Sequence, residues 1–171
     1  MVEPIGERQQ ALVSAETHRF ITLAEDLLER NFERIPVLFD LVGNAAGMFK
    51  VARRERWIRY NPWLFGKYFE ENLRDTVPHE VAHYVVHEVY PRRRVKPHGP
   101  EWQALMDAFG ADPAVTFKLD MEGIPRRRQR THPYSCPCRS HAISTTRHNR
   151  AQAGRGQYVC RYCRGRLIYS G

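Results

Sequence analysis

With 171 residues, the chain can form one compact domain plus a small appendage and bury roughly 70% of its unfolded surface, but it is too short for two full-sized domains. Hydrophobic residues make up 42%, charged residues 27%, and Gly plus Pro 22 of 171, which excludes collagen-like, low-complexity and fully disordered classes. The net charge of +8 is unevenly placed: residues 1–120 carry 16 Lys and Arg against 18 Asp and Glu, whereas residues 121–171 carry 11 Arg against the single Glu122.

No apolar run approaches the ~18–20 residues that a membrane helix needs, and the first stretch, MVEPIGERQQALVSAE, lacks the apolar core of a secretory signal. A cytoplasmic protein with no membrane partner is expected. From Ser14 onward, Phe20, Leu23, Ala24, Leu27 and Leu28 recur at helical spacing, with Glu25, Asp26, Glu29 and Arg30 turned outward. This predicts an N-terminal amphipathic helix. Three β-favouring runs follow, 35–42, 47–52 and 56–60, separated by Gly43-Asn44 and by the charged break Arg53-Arg54-Glu55. They read as a three-stranded antiparallel meander, in which the run 47–52 can hold an extended peptide by edge pairing.

Beyond Asn61-Pro62 the pattern turns helical, about Trp63 to Arg74 and again about Thr76 to Tyr90, and then breaks across Pro91–Pro97. A further helix should start at Gly99-Pro100, since Pro suits the first helical position and Gly is acceptable before it. Trp102, Leu105, Met106 and Phe109 would form its buried stripe. The segment Gly123–Arg130 reads as a linker, so the expected division is 1–125 and 126–171.

His79-Glu80-Val81-Ala82-His83 is an H-E-x-x-H motif inside the second helical pattern. Four residues turn a helix by about 400°, so both imidazoles project from one face, about 6 Å apart along the axis, and can converge on one Zn²⁺. Glu80 lies about 100° around, placed to act on a water as general base without being a ligand. Val81, Ala82, Val85 and Val86 make the surroundings apolar, where unpartnered polar groups would cost about 1–3 kcal/mol each. His87 sits about 12 Å along the axis from His79, too far to join. Both His98, after the proline-bounded turn, and Glu101 can supply a third ligand, and periodicity does not separate them.

Asn61-Pro62, Thr76-Val77-Pro78-His79-Glu80-Val81-Ala82-His83 and Pro97-His98-Gly99-Pro100-Glu101-Trp102, in that order, resemble the SprT family of zinc metallopeptidases, to which the eukaryotic protease Spartan is related. The resemblance implies an α+β, minigluzincin-like fold with His79, His83 and His98 as zinc ligands, Glu80 as the catalytic base and Glu101 in support. Thr116–Asp120, where close bacterial relatives are expected to carry another histidine, has none.

The basic segment holds all four cysteines, Cys136, Cys138, Cys160 and Cys163. In a reducing compartment such clustering points to a structural zinc ribbon, although the first pair is one residue shorter than the usual knuckle. His141 and His148 are possible substitute ligands, and disulfides or free thiols are the alternatives. The resemblance implies the same ribbon, giving two zinc ions in all, one catalytic and one structural. Arg126, Arg127, Arg128, Arg130, Arg147, Arg150, Arg161 and Arg164, with interleaved tyrosines, suit phosphates and unpaired bases, so single-stranded or locally opened DNA is the expected partner. The leading expectation is a zinc endopeptidase acting on DNA-bound or DNA-crosslinked proteins. A zinc-containing nucleic-acid-binding protein without catalysis is the rival.

Overall fold

The computed structural model describes residues 2–91, 95–113, 119–125 and 130–171. The expectations for Arg126, Arg127 and Arg128, and for most of Thr116–Asp120, lie outside them. The chain divides into two compact units, Met1–Arg126 and Arg127–Gly171, with mixed α and β structure. Among the described residues no helix is long and apolar enough to cross a membrane.

The first unit opens with α1, Glu7–Leu28, which starts two turns before the apolar stripe because Gly6 and Glu7 already suit a helix entry. It buries Val13, Thr17, Phe20, Ile21 and Ala24. Thr17 is accommodated because its hydroxyl bonds Val13 O and the Tyr60 hydroxyl, at 2.8 and 3.0 Å. Three strands follow: β1, Val37–Leu38, β2, Gly47–Ala52, and β3, Glu55–Tyr60.

The antiparallel meander read from the sequence is corrected by the strand order β1-β3-β2, in which β1 runs parallel to β3 and only β2 and β3 form an antiparallel hairpin. The cause lies in the β1 segment. Pro36 has no N–H to donate and contributes only its carbonyl, to Ile58 N at 3.0 Å. Phe39 then packs its ring on Tyr60, 6.1 Å between centroids, and the chain leaves after two paired residues to reach the far edge of β3.

The predicted helix 63–74 is likewise interrupted. Asn61 caps α2, Pro62–Lys67, by accepting from Trp63 N and Leu64 N. A single turn α3, Phe69–Glu71, and a π-helical turn, Asn72–Thr76, come next. The Asn72 amide donates to Leu64 O and Tyr68 O, and its oxygen accepts from the Thr76 hydroxyl at 2.7 Å. This buried asparagine sets the phase in which α4, Val77–Val89, begins. Helix α4 is central to the unit and packs on α1, on β2 and on α5, Pro100–Ala108. Trp102, Leu105, Met106 and Phe109 are all buried.

The second unit has strands β4, Thr131–Cys136, β5, Arg139–Ser144, and β6, Ile168–Tyr169, in the order β5-β4-β6, with helix α6, Thr145–Gln152, after β5. Among its described residues only Tyr134, Ile143 and Cys160 are buried. Three buried side chains are too few to offset the entropy of ordering a module of this size, so a cross-link of some kind is needed.

Candidate metal centres

Helical spacing puts His79 and His83 on one face of α4. His98 reaches them from the segment before α5, where its backbone is left-handed with φ of 56°. A tight turn makes that approach possible: Gly99 N donates to Lys96 O at 2.9 Å, and a Cβ at Gly99 would come within 2.9 Å of that carbonyl. Gln103 Nε2 holds the His98 carbonyl at 3.1 Å. The Trp102 ring underlies the group, 4.7 Å from the centroids of both His79 and His98, and its Nε1 donates to His79 O at 3.3 Å.

The three Nε2 atoms form a near-equilateral triangle with sides of 3.2, 3.0 and 3.0 Å. Tetrahedral Zn–N bonds of about 2.0–2.1 Å place neighbouring ligand nitrogens about 3.3 Å apart, so the triangle fits such an ion after small adjustment. Charge agrees with geometry. Burial, then the charge of His98, lowers the His79 pKa to about 4, and burial, then its two neighbours, lowers His83 to about 3. His98 is lowered by burial as well. All three rings are thus neutral near pH 7, the state in which imidazole binds metal. Glu101, half-buried in the first turn of α5, does not join this group. His87 lies outside it too, with its ring 5.6 Å from Phe49 and its Nε2 3.9 Å from Glu88.

Glu80 is 6% exposed and lies between α4 and the outer edge of β2. Burial pushes its pKa up to about 7 against the hydrogen bond from Phe49 N, which donates to Oε2 at 2.6 Å. Gly47 makes room for it: a Cβ there would lie 2.6 Å from Glu80 Cγ, 2.8 Å from Oε1 and 2.8 Å from Thr76 Cγ2. Gly47→Ala is therefore expected to force the carboxyl out of place and to cost about 1–3 kcal/mol of stability, read as a lower thermal midpoint, with zinc content unchanged. An unaltered midpoint would show that the strand yields instead. Sequence reasoning missed Gly47, Phe49 and the role of Trp102. The first two act on Glu80 across 33 and 31 residues, contacts that no local pattern announces.

In the second unit the four thiols converge, with Sγ separations of 3.4 Å for Cys136–Cys138, 3.7 Å for Cys138–Cys160 and 3.6 Å for Cys136–Cys163. These are far beyond a disulfide bond and close to the ~3.8 Å edge of a tetrahedron with Zn–S bonds of about 2.3 Å. The donor set suits a closed structural zinc site. Tyr162 N and Gly165 N donate to Cys160 Sγ and Cys163 Sγ, each at 3.4 Å, forming the knuckle. Its left-handed residue is Arg164, with φ of 59°, whereas Gly165 is small because a Cβ would meet Pro137 Cδ at 2.9 Å.

His141 Nε2 lies 3.2 Å from Cys136 Sγ. Burial alone would raise the Cys136 thiol, but the hydrogen bonds from His141 and around Cys138 and Arg139 bring it down to about 5. His148 is elsewhere, stacked on His132 at 3.8 Å and bonded to the Tyr134 hydroxyl. Among the described residues, the three histidines and the four cysteines are the two groups arranged to hold a metal ion.

Arg130, Arg147, Arg150, Arg161 and Arg164 are exposed. The tyrosines divide. Tyr162, 67% exposed, lies under the Arg139 guanidinium at 3.7 Å, whereas Tyr134 is buried as the module's main apolar side chain and offers no face to a ligand.

The chain matches the SprT-like family over residues 17–122. It is 36% identical over 149 residues to Protein SprT of Pasteurella multocida, covering 86% of each chain. It is 37% identical over 152 residues to Protein SprT of Pseudomonas paraeruginosa, covering 86% of this chain and 88% of that one. With Protein SprT of Vibrio parahaemolyticus the identity is 33% over 152 residues, with 88% of each covered. No solved structure matches.

Proposed function

This chain belongs to the SprT-like family, and from that premise we propose that it is a zinc-dependent endopeptidase that cuts proteins bound or crosslinked to DNA. The observation that carries the reading is the triangle of three neutral imidazoles next to a buried carboxyl. His79, His83 and His98 would hold the ion. When bound, zinc supplies a Lewis acid that acidifies water and polarises a peptide carbonyl.

The remaining work falls to the chain's own groups. The Glu80 carboxyl, desolvated between α4 and β2, can take a proton from the attacking water and return it to the leaving amine nitrogen as the C–N bond breaks. Oε2 is engaged by Phe49 N, so Oε1 is the atom that would carry the proton. Ile58 N and Tyr60 O bond Pro36 O and Leu41 N on the β1 side, so the paired residues Gly47 and Phe49 turn their backbone groups to the other edge of β2; Phe49 N is taken there by Glu80, which leaves Phe49 O and the groups of Val51 for a substrate strand. An extended substrate pairing along that edge would be held by its main chain and would tolerate varied side chains.

The second unit would bring the enzyme to its target. Exposed Arg147, Arg150, Arg161 and Arg164 suit phosphates, and the Arg139–Tyr162 pair presents a stacking face for an unpaired base. A reducing compartment such as the cytoplasm would keep the four thiols available for zinc. The test uses the zinc-loaded full chain and a protein crosslinked to single-stranded DNA. Cleavage should stop on chelation and return with zinc. Affinity for the DNA should fall with salt by about 0.7 log units per log unit of salt for each phosphate contact, and Arg161→Glu should lower that slope by about one contact. DNA binding without cleavage would favour the non-catalytic rival.

A further inference from the structure

The π-helical turn Asn72–Thr76 leads directly into α4, and Thr76 stands four residues before Glu80. The point where a Cβ would sit on Gly47 lies 2.8 Å from both Thr76 Cγ2 and Glu80 Oε1, so the threonine methyl and the carboxyl oxygen crowd one spot over β2. The Thr76 hydroxyl is instead engaged by Asn72, donating to its Oδ1 at 2.7 Å. Both residues are buried. Among the described residues no protein donor reaches Oε1, whereas Oε2 takes Phe49 N.

A side-chain amide has two N–H donors at one end and an acceptor oxygen at the other. Asn72 commits both N–H groups, to Leu64 O at 3.0 Å and Tyr68 O at 2.7 Å, which fixes the end that faces Thr76. Its oxygen is then the acceptor that holds the hydroxyl, and the branch at Cβ leaves the methyl as the group presented to Glu80. Released from Asn72, a buried hydroxyl needs another acceptor, and a carboxylate is a stronger one than a backbone carbonyl. A hydrogen bond donated to Oε1 would occupy the oxygen that has to take the proton from water.

We propose that Asn72 is a positioning residue for the reaction: it holds the Thr76 hydroxyl away from Glu80, presents the methyl in its place, and so keeps Oε1 open to water. The assignment rests on the peptidase reading above. It gives the turn a part in catalysis beyond setting the phase of α4, in keeping with the recurrence of π turns at functional sites.

Kinetics of the zinc-loaded full chain on a protein substrate test it. Asn72→Ala should lower kcat about tenfold with KM and zinc content kept, and adding Thr76→Val, which has no hydroxyl to donate, should restore most of the loss. Leu64 O and Tyr68 O keep backbone donors, Tyr68 N at 2.9 Å and Asn72 N at 3.1 Å, so the alanine variant orphans neither carbonyl. If Asn72 served only to tie the turn, Thr76→Val would restore nothing, and the proposal would be overturned. A second comparison leaves Asn72 in place. Thr76→Val should turn over several times faster than Thr76→Ser, because the serine has no methyl to keep its hydroxyl from Oε1. The opposite order, expected if the bond to Asn72 mattered in itself, would overturn the proposal, and this pair decides should Asn72→Ala fail to fold. Independently of turnover, three-bond NMR couplings from Thr76 Cγ2 to its backbone nitrogen and carbonyl carbon should report a changed χ1 rotamer in Asn72→Ala. An unchanged rotamer would overturn the positioning role alone. No cleavage of any protein by the zinc-loaded wild type would overturn the peptidase reading and the positioning role with it.

Discussion

Glu80→Gln should lower proteolysis about 10²–10⁴-fold while both zinc ions stay bound, the range that general acid–base catalysis contributes. The amide is nearly isosteric, and its oxygen can still accept from Phe49 N, so the rotamer held between Gly47 and Phe49 should survive. What is lost is the atom that takes and returns a proton. Because Glu80 is outside the imidazole triangle, metal content should not change.

Stability supplies a separate signature of the same substitution. In the metal-free chain the folded-state pKa of Glu80, about 7, is raised above the ordinary value of 4.5 by burial. The folded state then holds the proton more tightly than the unfolded state, and the associated stability is lost as pH rises from about 4.5 through about 7. Gln carries no such dependence. The variant should therefore gain on the wild type as pH rises from about 4.5 to about 7, and keep that gain at higher pH, when thermal midpoints are compared without metal. Retained turnover in Glu80→Gln would remove the assigned base, and a midpoint difference independent of pH would mean that the carboxyl is not desolvated as described.

The second large effect is expected from Cys160→Ser. Cys160 is 1% exposed, is one of three buried side chains among the described residues of the second unit, and accepts from Tyr162 N through its sulfur. Structural zinc in small modules contributes an apparent binding free energy of about 10–16 kcal/mol, which acts as folding free energy. With one thiolate gone, zinc should drop from two ions to one per chain, hydrogen-exchange protection across β4–β6 should disappear, and DNA affinity should fall. The first unit should keep its own melting transition, since its core runs from α1 through α4 to α5 without the cysteines. Two ions retained in the variant would separate the module's stability from its metal.

How far these features could be read from the sequence depends on the range of the forces behind them. His79 and His83 share a face because of helical geometry alone, and Pro97 and Gly99 flank His98 with the residues of a returning turn. The choice between His98 and Glu101 was open to periodicity, because it depends on the left-handed backbone at His98 and on the Trp102 floor, both products of packing. Strand β1 was misassigned in direction because a two-residue strand carries no register of its own. The break in the 63–74 helix followed from one buried amide, Asn72, bonding two carbonyls and a hydroxyl, an arrangement invisible to hydrophobic spacing. In the second unit the four-cysteine cluster was legible as composition, whereas the inward turn of Tyr134 was not, since the short β4 alternates with little apolar contrast.

The most direct test of the account is zinc-edge X-ray absorption combined with elemental analysis on the full chain. The account predicts two zinc ions per chain, with a nitrogen and oxygen shell at about 2.0–2.1 Å and a separate sulfur shell at about 2.3 Å. One zinc per chain in an all-sulfur environment would leave His79, His83 and His98 without an ion and would contradict it.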